Sequence, residues 1–217
     1  MAPSQCILPG IDQPSIHTLA YLYAGVRIMR RRPHGRRGRR GQVGRVEDRP
    51  GVTDPASFRV SRCQVTPEPL LDGARPDYAD SFEIRLRDPD SHPAEQWARV
   101  SLEQAAPVVR RIIQFVHAHV ARFQLGPPAD PDYVLGWQIV TSVPDVLHIE
   151  TSGPLARAEI IARSVSPTRK TASTFLFYER PLTQFLWFAI GPLHRRIAPY
   201  LLARAATSLT SERHSLT

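Results

Sequence analysis

Apolar residues recur at steps of three and four across residues 181–206, PLTQFLWFAIGPLHRRIAPYLLARAA. At that spacing Leu182, Phe185, Leu186, Ala189, Ile190, Leu193, Ile197, Tyr200 and Leu201 fall on one face of a long helix. So broad an apolar face must cover another element. The preceding residues, 170–179, are rich in β-branched and aromatic types and predict a strand. A second strand is predicted at 78–86. There Tyr78, Phe82, Ile84 and Leu86 alternate with Ala79, Ser81, Glu83 and Arg85, and Asp80 is the polar exception on the inward side.

Residues 94–125 carry helical periodicity. Trp97 closes off a first short helix. A second has the stripe Ala105, Ala106, Val109, Ile112, Ile113, Val116, Val120 and Phe123. Gly126, Pro127 and Pro128 supply its stop. Four strand-like runs follow, at 134–143, 146–151, 155–165 and 170–178, with connections short enough for antiparallel hairpins. Residues 58–66 read as a short strand or an extended lead-in. The order is strand, two helices, four strands, long helix. It predicts an α+β domain over residues 58–206, an antiparallel sheet gripping the C-terminal helix. Residues 207–217 are expected to form a disordered tail.

Charge separates this domain from what precedes it. The chain has 217 residues and a net charge of +8. Residues 27–49 hold ten arginines against Glu47 and Asp48, so the whole excess lies there and the rest is neutral. Within residues 1–57 only 16–29 suggest a short helix. The run RRRPHGRRGRRGQVGR has no aromatic and almost no aliphatic residue, which predicts a disordered arm. Arg30, Arg31, Arg32, Arg36, Arg37, Arg39 and Arg40 are its candidate phosphate contacts, for nucleic acid or an acidic surface. A stacking platform would need interleaved aromatics, and the run has none. Lys170 is the sole lysine, and coding bias explains the arginine excess elsewhere. Cys6 and Cys63 make neither a disulfide framework nor a zinc site. No apolar run approaches the ~20 residues of a membrane span. A cytoplasmic location is expected, with no metal and no cofactor.

The element order resembles the helix-grip fold of the START and polyketide-cyclase superfamily (SRPBCC). DYADSFEIRL and GPLHRRIAPYLLARAA are similar to a bacterial domain-of-unknown-function family. The resemblance covers about residues 58–206. It implies an apolar ligand held between a curved sheet and the last helix. With five strands read against the superfamily's six or seven, either a strand hides near 58–66 or the cavity is smaller and closed.

If a cavity exists, Tyr78, Phe82, Trp137, Ile139, Ile160, Phe175, Phe177, Trp187 and Ile190 are its expected walls; otherwise the aromatic set is a filled core. His194 borders the buried stripe of the last helix. It is either a general acid or base facing that cavity or a histidine at the core margin. Asp80 is its candidate partner if buried, and a spectator if the strand starts later. His148 and Glu150, two apart on one strand, share a face. They are either a base and its orienting carboxylate or the wet side of the sheet. His117 and His119 diverge on a helix and cannot share a metal. Three functions remain open: a binder of a small apolar ligand without catalysis, a cyclase- or hydrolase-type enzyme using Asp80 and His194, and a nucleic-acid or acidic-surface binder acting through residues 27–49.

Overall fold

A computed structural model describes residues 58–215 apart from Pro128. The expectations for residues 1–57, including the arginine arm, Cys6 and the short helix at 16–29, lie outside the described residues.

Seven strands form one antiparallel sheet: β1 (Phe58–Cys63), β2 (Tyr78–Leu86), β3 (Tyr133–Val134), β4 (Trp137–Val143), β5 (Val146–Ser152), β6 (Ala156–Ser166) and β7 (Arg169–Tyr178). Their order is β1-β2-β7-β6-β5-β4-β3. The last strand therefore pairs with β2, one of the first, and β1 and β3 are the two edges. Two helices, α1 (Ala94–Glu103) and α2 (Pro107–Phe115), lie between β2 and β3, and α3 (Pro181–Ser215) ends the chain. This is the α+β arrangement that the hydrophobic pattern predicts, a long helix packed against an antiparallel sheet.

Two strands go beyond the five expected. β1 is the strand that residues 58–66 hold. β3 is split from β4 by a two-residue turn at Leu135 and Gly136, both with positive φ. That is the backbone a tight hairpin requires, and glycine supplies its second position without strain. Alternation alone had run this turn into one strand.

The α2 helix stops short of the expected residue 125. Pro107 occupies its first turn, where a missing N–H costs nothing. After Phe115 the chain widens into a π-helical turn, Val116–Val120. It leaves through Arg122, whose φ of 57° is left-handed. The Arg122 carbonyl lies against Gly153 in the β5–β6 turn, so closely that a Cβ there would overlap it.

The face α3 buries is turned by about one residue from the predicted one. Thr183, Leu186, Trp187, Ile190, Leu193, His194 and Ile197 point at the sheet. Leu182 and Phe185 are exposed, as is Phe188. Farther along, Ala205, Ala206 and Leu209 pack with Ile84, Trp97 and Val100, against Phe58, Val60 and Leu86. The helix thus runs through residues 207–215, where a disordered tail was expected, because Leu209 continues the stripe into the groove between α1 and β1.

Both faces of the sheet are covered. Cross-strand partners share a face, so the register places Tyr78, Asp80, Phe82 and Ile84 with Leu176, Thr174, Ala172 and Lys170 on the helix side. The opposite face carries Phe175, Phe177 and Ile161. It is roofed by the segment after β1, where Leu71 is buried and Val65 and Leu70 pack alongside. Arg163 on β6 holds that strap through Glu68, with Nε 3.0 Å from the carboxylate. No described helix is long and apolar enough to cross a membrane.

Candidate functional site

Between the sheet and α3 lies a hollow of two lobes, about 110 Å³ and 130 Å³. The first sits under the N-terminal half of α3. The second runs toward α1 and ends at Lys170. They meet at a waist made by Ile113, His117, Ile160, Thr174, His194 and Ile197, which border both. Apart from the two imidazoles and the Thr174 hydroxyl, this waist is apolar.

The two histidines are anchored differently. His194 projects from α3 next to β2, with Nε2 3.2 Å from Asp80 Oδ1. Tyr78 donates its hydroxyl to the other carboxylate oxygen at 2.5 Å. Asp80 is fully buried and is not part of the cavity wall. It stands behind His194 and bonds its ring. With Nε2–H donating to Asp80, Nδ1 keeps its lone pair and is the basic atom. Burial by itself would raise the Asp80 pKa. The hydrogen bonds from His194 and Tyr78, together with the charges of His194 and Arg62, outweigh it and hold the carboxyl below its usual range. The Tyr78 phenol is pushed up to about 12, by burial first and then by the Asp80 hydrogen bond. Its ring meets Trp187 edge-on at 4.9 Å, and Trp187 lies 5.4 Å from the His194 ring.

His117 comes from the π-helical turn. Trp137 donates its indole N–H to His117 Nδ1 at 3.2 Å, which fixes the tautomer with the proton on Nε2. The ring keeps some open surface because it faces the hollow, yet its neighbours, Phe123 and Trp137, are aromatic. Desolvation, and second the nearby His194, lower its pKa to about 4. His117 is therefore neutral at pH 7, whereas Asp80 is ionised.

That shift predicts a pH dependence. The folded-state pKa of His117 lies below its unfolded value of 6.5, so the unfolded chain takes up a proton that the folded one refuses. Stability is complete above pH 6.5 and drains away as pH falls toward 4, by at most about 3 kcal/mol. His148, whose pKa burial also lowers, acts in the same direction. Urea titrations between pH 7 and 4.5 are expected to show the loss, and a His117→Gln variant should lack the share that belongs to His117.

Trp137, Ile160, Trp187 and Ile190 line the hollow as the sequence suggests. Tyr78 backs onto it through Trp187. Phe82 and Ile139 share the helix-facing side of the sheet without bordering either lobe. Phe175 and Phe177 belong to the opposite face, under the Leu71 strap. Strand parity separates them from Leu176, which does border the first lobe. His148 is not on a wet face: it is buried, and its Nε2 meets Glu159 at 2.8 Å rather than Glu150. His117 is not among the residues that the sequence pattern marks for the hollow. Its place four residues after Ile113, on the apolar stripe of α2, is the signal that could have found it.

The far end of the second lobe is sealed by charge. Lys170 is buried and reaches the Asp90 carbonyl and Ser164 Oγ, each at 3.1 Å. The Asp90 carboxylate also accepts from the Trp97 indole at 2.7 Å. Trp187 Nε1 finds no acceptor among the described residues.

Compared with known proteins, the chain matches no family model, no curated sequence and no solved structure.

Proposed function

We propose that this protein binds a small, elongated, mainly apolar molecule with one polar group, its apolar parts in the two lobes and its polar group at the His117–His194 waist. The observation that carries this reading is the hollow itself, apolar along both arms and interrupted by two oriented imidazoles at the middle. Each lobe is smaller than the ~150 Å³ that holds a benzene ring, and only the two together approach the ~300 Å³ of an ordinary ligand pocket. A compact ligand would have to choose one lobe, and a slender one spans both. The orphaned indole N–H of Trp187, bordering the first lobe, adds a donor that nothing in the wall satisfies.

Decanol and decanoic acid are suitable probes, read by the fluorescence of Trp137 and Trp187. Saturable binding of one molecule per chain is expected. An Ile160→Trp variant, which fills the waist, should weaken it at least tenfold while the protein stays folded. Absence of saturation, or equal binding by the variant, would sink the reading.

The Asp80–His194 pair supports a second reading, in which a bound ester or polyketide-like substrate meets His194 Nδ1 as a general base. Asp80 orients the ring and stabilises the imidazolium formed. His194→Gln should then keep probe binding and lose turnover, whereas a plain binder has no turnover to lose.

A further inference from the structure

On the strap side of the sheet, away from the hollow, three metal-ligating side chains converge. We propose that His148, Glu150 and Glu159 bind a divalent transition-metal cation of the zinc class, at the outer face of the β5–β6 hairpin. One donor atom from each lies within 4.8 Å of the others, and His148 and Glu159 are buried. A zinc ion bonded at about 2.1 Å holds tetrahedral donors about 3.4 Å apart. Closing the set takes roughly an ångström of movement, and Glu150 is free to make it. It is only half-buried, and no hydrogen bond or ion pair ties it to another described residue.

Charge points the same way. Glu150 and Glu159 stand directly opposite each other in the β5–β6 register. Like charges in that position repel, unless a cation sits between them. The described cations nearby are engaged. Arg163 serves Glu68, and Arg157 serves Glu159 while lying 3.8 Å over the Phe177 ring. Glu150 adds a further negative charge with no ion-pair partner among the described residues. Arg157 is more than a third exposed and can withdraw from Glu159 to make room.

The site also has an approach. A polar hollow of about 370 Å³ borders Glu150 and Arg157, with Gln124, Tyr133 and Gln138 around it. Of the three ligands Glu150 alone borders this space, so a cation would enter past it, and three protein ligands leave a tetrahedral ion's fourth position for water.

Isothermal titration of the purified full chain with zinc chloride tests this, with magnesium chloride as the hard-cation control. One zinc per chain is expected, with little heat from magnesium. Glu150→Gln should weaken binding at least tenfold and leave the melting temperature of the metal-free protein within a few degrees. His148→Gln should do the same to binding, and if it fails to fold, Glu150→Gln decides alone. Binding that Glu150→Gln leaves unchanged, or no saturable zinc binding at all, overturns the proposal.

Discussion

A Phe175→Ala variant is expected to lose about 3–5 kcal/mol of stability and to bind the decanol probe as the parent does. Phe175 is 2 % exposed and fills the space among Leu71, Ile161 and Phe177. Its removal strips the strap of its main contact and leaves a cavity that rigid strands close poorly. A shift of the urea midpoint with an unchanged slope would report the loss. The hollow under α3 lies across the sheet, so its volume does not change. Were Phe175 a wall of the ligand site, the same truncation would enlarge that site and alter probe affinity. Unaltered stability would mean that the strap is not held where Leu71 places it.

Asp80→Ala is the second large effect, a loss of about 2–4 kcal/mol. It removes the acceptor of the Tyr78 hydroxyl and unties His194, both bonded to this buried carboxylate. Asp80→Asn, which keeps the shape and one acceptor, should cost less. The pH dependence separates this site from His117. A carboxylate whose folded pKa is depressed contributes above its unfolded pKa of about 3.9, and that contribution vanishes as pH falls through the folded value. The deficit of Asp80→Ala relative to the parent should therefore be constant from pH 7 to about 5 and shrink below about 4. The His117 loss occupies the window above that. A deficit that already fades as pH falls from 6.5 to 5 would mean that the ionised Asp80 carboxylate does not carry the stabilisation.

The hydrophobic pattern carried the architecture well. Strand alternation at Tyr78 to Leu86 and the three-and-four spacing before Ala206 are local properties, set by how each element projects its side chains. From them follow the sheet, the gripping helix and the element order. Asp80 and His194 were legible for the same reason: each is a polar residue on an apolar face, which is where a buried polar group must find a partner. Their 3.2 Å contact across 114 residues is the partner each required.

What failed was the assignment of faces. Alternation tells which residues share a side, and it tells which side is buried only when the other is wet. Here the strap after β1 covers the second side. Phe175 and Phe177 thus belong to the other layer from the one expected, and neither reading of His148, a pair with Glu150 or the wet side, finds Glu159 on the neighbouring strand. The strap itself has no periodicity to betray it, since it is held by Leu71 and the Glu68–Arg163 pair, 95 residues apart.

The sequence by itself determined the α+β class, the strand directions within hairpins and the polar exceptions Asp80 and His194 on apolar faces, because these depend on neighbours within one helical turn or one strand pair. The tertiary structure alone decided the pairing of β2 with β7, the turn of α3 about its own axis that exposes Phe185 and aims Trp187 into the hollow, and the meeting of His117 with His194 at one waist. Those follow from how bulky side chains share one volume, and packing is a property of all the contacting elements at once.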